Sequence, residues 1–163
     1  LQGDWSSDVC SSDLGQVSLD IIHEVESILG YNFPTSYINL IKDHDALSPV
    51  ENIFDFKNIY KKEDERDLNF LSFKTNHLDG DILSNQSNVN DLENYGIKNL
   101  VVFGICANGD YICFDYRDNI EGTEPKIVLV YHDDFVDYED GASSMVVNNV
   151  ANNFDDFLNL LHE

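Results

Sequence analysis

Two short apolar runs meet at Asn108-Gly109, and no other stretch constrains the fold as much. Asn-Gly supplies the two positive-φ positions of a type I′ turn, so Leu100 to Tyr116 reads as a β-hairpin. If Ala107 faces Asp110, then Val101, Phe103, Ile105, Ile112, Phe114 and Tyr116 share the face that the core must take. Val102, Gly104, Cys106, Tyr111, Cys113 and Asp115 share the other, less apolar face, which reads as partly exposed. Cys106 and Cys113 then lie diagonally across the pair at about 7 Å, too far for an unstrained disulfide, and read as small packing residues.

Helical periodicity appears on both sides of this hairpin. Ile21, Ile22, Val25, Ile28 and Leu29 form a stripe that ends at Gly30, where a left-handed C-cap belongs. Pro34 opens a second helix, with Tyr37, Leu40 and Ile41, and His44 next in line, on its buried stripe; it should end near Asp45. Phe154, Phe157, Leu158 and Leu161 make a closing helix that Asn152 or Asn153 can cap, with Asp155 and Asp156 favouring its first turn. Ile53 to Phe56 reads as a short strand before a charged loop, Lys61 to Arg66, whereas Leu68 to Phe73 fits strand and helix equally. Asn76 to Asn94 reads as a long polar connection with at most a short helix around Leu92 to Tyr95. Lys126 to His132 is apolar almost throughout and should be a central strand covered on both faces. The expected fold is α+β: a single domain in which two N-terminal helices and a C-terminal helix pack on an antiparallel sheet.

The domain is read as residues 17–163, and residues 1–16 as a non-native or disordered leader. Asp4 to Leu14 is similar, residue for residue, to one reading frame of a common short-read sequencing adapter. Asn and Ile are absent before Ile21 and abundant after it. Trp5 and Cys10 therefore carry no functional argument. The sole Met, Met145, is internal, so the native start is expected to differ.

Charge limits the partners. With 31 Asp and Glu against 9 Lys and Arg, the net charge is -22, and the basic residues form only one small cluster, Lys57, Lys61, Lys62 and Arg66. Nucleic acid and anionic membrane are disfavoured partners, and a basic protein surface is a favoured one. Acidity of this degree also suits a protein adapted to high salt. No stretch is apolar for long enough to span a bilayer, and three Cys make neither a disulfide framework nor a zinc site. A reduced, cytoplasmic protein is expected.

Three segments carry a resemblance: Leu29-Gly30-Tyr31-Asn32-Phe33-Pro34-Thr35-Ser36-Tyr37; Val102-Phe103-Gly104 with Asn108 to Tyr116; and Val150-Ala151-Asn152-Asn153-Phe154-Asp155-Asp156-Phe157-Leu158. In order and spacing they resemble the SUKH superfamily of bacterial toxin-immunity proteins and fungal cell-wall assembly regulators. One departure is Asp43-His44-Asp45-Ala46, where many relatives carry an Asn-Gly turn. The resemblance implies binding without catalysis: an immunity protein that occludes the active surface of a cognate toxin domain, basic and of nuclease type. The competing implication is a regulatory scaffold, although such regulators carry long disordered flanks. A monomer or weak homodimer without cofactor or metal is expected.

The toxin-facing candidates are the acidic run Asp133, Asp134, Asp137, Tyr138, Glu139 and Asp140, in which a charged rim surrounds an aromatic, and a second patch at Asp115, Asp118 and Glu121. A solvated connection explains the first run equally well. His132-Asp133-Asp134, and His77 with Asp79 and Asp81, could ligate a metal but match no spacing with a known mechanism. Cys113 with His132 as base could form a nucleophile pair, although a mid-strand position favours packing. No nucleophile elbow, phosphate-binding loop or dinucleotide fingerprint is present.

Overall fold

The computed structural model describes residues 10–75 and 80–163. In chain order the elements are β1 (Cys10–Ser12), α1 (Leu19–Leu29), α2 (Thr35–Ile41), β2 (Ser48–Pro49), β3 (Ile53–Lys57), β4 (Glu63–Asp67), β5 (Asn69–Phe70), α3 (Ile82–Val89), β6 (Leu100–Ile105), β7 (Tyr111–Asp115), β8 (Lys126–Asp137), β9 (Ser143–Ala151) and α4 (Phe154–Leu160). An antiparallel sheet in the order β5-β6-β7-β8-β9 forms the centre, with β3-β4 and β1-β2 as separate two-stranded ribbons.

Local chemistry sets the helix ends. Ser18 caps α1 through its side chain, and Gly30 ends it at φ 84, a left-handed conformation without penalty for glycine. Only Ile22 and Val25 of the apolar stripe are buried; Ile21 and Ile28 face solvent, and Glu26 completes the inner face. Its carboxylate accepts from the Phe33 N–H at 2.7 Å and so fixes the α1–α2 connection. The second helix starts after Pro34 and ends at Ile41, one turn earlier than periodicity suggests, leaving His44 beyond it with its Nδ1 2.7 Å from the Asp13 carboxylate. At the departure from the family pattern, Ala46 takes φ 54, the conformation a glycine adopts freely. The closing helix α4 is capped by Asn153, whose side chain accepts from Asp156 N–H.

An aromatic core lies between one face of the sheet and α2 and α4. Phe103 and Phe114 stack at 4.2 Å, and Tyr37 contacts both of them as well as Phe154. Edge-to-face pairs of this kind add to area burial. The hairpin register differs from the type I′ expectation. Cys106 and Asp110 close a three-residue loop in which only Gly109 is left-handed, the type I turn with a G1 bulge. A second irregularity between Val102 and Gly104 restores Phe103 to the core face with Val101, Ile112, Phe114 and Tyr116, while Ile105 pairs with Tyr111 instead.

The opposite face of the hairpin is buried, not partly exposed. The reason is α3, which lies in the segment read as a polar connection. Its inner stripe is Ile82, Gln86 and Val89, and it covers Val102 and Cys113, both fully buried. Gln86 accepts from Val102 N–H and donates to Leu100 C=O, both at 2.8 Å, so its amide completes the edge of β6 where β5 stops. Leu92 to Tyr95 forms a turn. The charged loop is divided: Lys61 ends the three-residue β3–β4 turn begun by Ile59 and Tyr60, Lys62 closes that turn against Asn58, and Glu63 to Asp67 is strand β4. In the leader, residues 1–9 lie outside the described residues, Cys10–Ser12 pairs with Ser48–Pro49, and Leu14 N–H donates to Asp45 C=O.

Candidate functional site

The strand expected over Lys126 to His132 continues to Asp137, and Ser143–Ala151 returns beside it as a ninth strand. The pairing jumps from Val130↔Val147 to Phe135↔Met145, so four residues of β8, Tyr131 to Asp134, stand against Val146 alone, an irregularity of the kind that bends a hairpin. This arm carries the whole first acidic run. Its tip, Tyr138 to Ala142, repeats the bonding of the Asn108-Gly109 loop, with Gly141 at φ 86.

The arm is exposed and mixed in chemistry. Asp133, Asp137, Glu139 and Asp140 face solvent, and Asp134 accepts from the Tyr60 hydroxyl at 2.7 Å. Phe135 is 60% exposed and Tyr60 52%, two aromatics that the sequence reading did not single out. Tyr138 is also exposed, and its hydroxyl is hydrogen-bonded with Ser144. The second patch separates into individual residues. Asp115 is half-buried and holds Arg117 by two bonds of 2.9 Å, so its charge is already compensated. Asp118 lies 3.8 Å from Lys126, whereas Glu121 sits apart, on a groove with His23 and Gly30. Tyr138 and Arg117 nevertheless line one cleft.

Asp110 fixes the base of the arm. It is fully buried; its Oδ1 accepts from His132 N–H at 3.0 Å and lies 2.6 Å from His132 Nδ1. Its Oδ2 accepts from Arg66 Nε at 2.8 Å and Asn108 Nδ2 at 3.0 Å. Burial alone would raise the carboxyl pKa, but the hydrogen bonds from Arg66, His132 and Asn108 outweigh it and hold the group below its ordinary value. Arg66 also pairs with Asp64 and lies over the Phe56 and Tyr131 rings at 5.7 and 5.4 Å. One carboxylate thus joins β4, the β6–β7 turn and the start of the arm.

The metal readings acquire a geometry. Asp110, His132 and Asp133 bring ligand atoms within 4.8 Å of one another. Both Asp110 oxygens are already engaged, one by a guanidinium, which leaves His132 Nε2 and Asp133 at 4.0 Å, two ligands where a resident site uses three or four. His77 and Asp79 lie outside the described residues, and Asp81 caps α3 by accepting from Ser84 N–H. Burial pushes the thiols of Cys106 and Cys113 up, the opposite of an activated nucleophile.

The model of the SMI1 / KNR4 family (SUKH-1) matches residues 16–160. The chain belongs to this family. No curated protein and no solved structure matches it. The SUKH-1 match runs from just before α1 to the end of α4, so the arm and the Asp110 hub both lie inside the family domain. No helix among the described residues is long and apolar enough to cross a membrane.

Proposed function

We propose that this SUKH-1 protein is an immunity protein of the cytoplasm that binds a cognate toxin domain, basic and of nuclease type, and covers its active surface. The observation that carries the reading is the arm: a bent hairpin that displays Asp133, Asp137, Glu139 and Asp140 around exposed Phe135 and Tyr138. Acidic rims steer a basic partner to the surface, and aromatic anchors supply contact area once it arrives. Tyr60 and Asp134, held together at 2.7 Å, extend this surface onto the β3–β4 turn. Asp115 contributes least, because Arg117 neutralises it.

Co-expression with the toxin encoded beside it should rescue growth of a host that the toxin alone kills. Asp133→Lys, Asp134→Lys and Asp137→Lys together should slow association at low salt by roughly tenfold or more, since steering raises on-rates by about 10–10³. Rescue with an unchanged on-rate would move the interface off the arm. No rescue and no binding would instead favour a regulatory scaffold of the cell-wall regulator kind.

A further inference from the structure

The C-terminal end of α1 lacks the charge that commonly complements a helix end. The last carbonyls of a helix have no partner within it and form the negative pole of its dipole, and Lys or Arg in the last turn often serves both. The last turn of α1 holds no basic residue. Glu26 C=O accepts from Gly30 and Tyr31 N–H, whereas Ser27, Ile28 and Leu29 C=O accept from no group among the described residues. The Glu26 carboxylate adds a negative charge that is only 9% exposed. It accepts from Phe33 N–H and lies 2.7 Å from His23 Nδ1, but no Lys or Arg among the described residues pairs with it. Carboxylates this deeply buried ordinarily have a cation within reach.

A groove of about 360 Å³ runs beside these groups. Its volume lies at the lower end of the range for pockets that take small ligands, so it suits a single side chain. From α1 it takes Glu26, Ser27 and Gly30, and from the β7–β8 connection Ile120 and Glu121; no Lys or Arg lines it. Ile120 and Glu121 are the two central residues of a turn closed by Gly122 N–H on Asn119 C=O, and both face solvent. The Glu121 carboxylate makes no hydrogen bond or ion pair among the described residues. Tyr31 also borders the groove; its hydroxyl donates to Asn99 Oδ1 at 2.6 Å, and Asn99 lines the cleft that Tyr138 of the arm shares. Through Tyr31 and Asn99 the groove therefore connects to the cleft beside the arm.

We propose that this groove takes one arginine side chain of the basic toxin domain, with its guanidinium on the Glu121 carboxylate and the open carbonyls of α1 and its stem against Ile120. The acceptors select the occupant: a guanidinium carries five N–H donors in a planar fork and can serve a carboxylate and carbonyls together. This site rests on the toxin reading and adds to it an anchor of a different kind. Charges at the rim act mainly on association, whereas a charge pair closed off from water acts on dissociation.

The test uses the toxin domain encoded beside this chain and measures association and dissociation rates by surface plasmon resonance. Glu121→Gln removes one charge from an exposed turn, and Ser27→Arg supplies the missing cation from within the last turn of α1. Both should keep the native melting transition, and Ser27→Arg should hold or raise it, because it complements the helix dipole. Each should speed dissociation roughly tenfold, the value of one hydrogen bond to a charged group, with association little changed. Replacing the arginines of the toxin one at a time by alanine should find one whose loss costs as much and costs nothing further beside Glu121→Gln. The groove alone is overturned if the toxin binds wild type and both variants dissociate at the wild-type rate, or if no toxin arginine couples to Glu121. It is equally overturned if only association slows, which is the loss of long-range charge. A toxin that does not bind wild type overturns the groove and the toxin reading together.

Discussion

Asp110 shows how a single side chain sets the position of a surface some distance from it. Its partners Arg66 and His132 lie 44 and 22 residues away, and the arm begins at the second of them. Because its folded pKa is depressed, its contribution to stability is present above the unfolded value and is lost as pH falls through the folded one. Asp110→Asn should therefore cost about 1–3 kcal/mol near neutrality, where it leaves Arg66 with Asp64 as its one carboxylate partner among the described residues, and progressively less below about pH 4. Urea midpoints of both proteins across that range would show converging curves; parallel curves would reject the assignment. His162 acts in the opposite direction: bonds to the Glu163 carbonyl and Asp55 raise its pKa, so what it adds is lost as pH rises through that value. In the sequence His132 stood out as a metal or base candidate, but nothing near it names Asp110 or Arg66 as its neighbours. The Tyr37 hydroxyl, the one buried side-chain polar atom among the described residues without a hydrogen-bond partner, was equally invisible.

Three hairpins of this chain use the same three-residue loop, and they differ in how openly the sequence shows it. The left-handed position is Gly109 in one, Gly141 in another and Lys61 in the third, at φ 96, 86 and 65. Asn108-Gly109 was legible. Asp140-Gly141 carries the same signal ahead of Met145-Val146-Val147, but its acidic flanks made it read as a solvated connection. Lys61 gives no signal at all, and Glu-Asp-Glu-Arg-Asp has no apolar alternation, so β4 could not be recognised as a strand. A lysine in this conformation is strained, whereas glycine is not. Lys61→Gly should therefore stabilise the protein by about 1 kcal/mol in urea unfolding; a loss of stability would mean that the Lys61 side chain makes contacts worth more than the strain. The missing helix α3 has a different cause. Its buried stripe centres on Gln86, a polar residue that no hydrophobic period counts, and its value appears only when β6 lies against it.

For the whole molecule, residues 10–16 meet the domain at the segment after α2. Leu14 N–H and the Asp13 carboxylate reach Asp45 and His44, yet Asp45 N–H is held by Gly15 C=O, and the family match begins at residue 16. A chain starting at Gly15 should unfold in one cooperative transition with a loss of about 1–2 kcal/mol, the value of the bonds removed. Loss of cooperativity would show that the leader belongs to the domain. The net charge of -22 makes a related point about scale. Summed over the chain it selects a class of partner, but it does not say which carboxylates remain available. Sequence by itself determined the features that neighbouring residues impose: the hairpin at Gly109, the cap at Gly30 and one at Asn152 or Asn153, the apolar face carrying Phe103 and Phe114, and the acidic field. Only the tertiary structure decided that Asp110 binds the arm to β4 and that α3 covers the second face of the hairpin. Backbone conformation and periodicity are local and leave a local trace. The bonds of Asp110 to Arg66 and His132 join residues tens of positions apart, and packing alone chooses them.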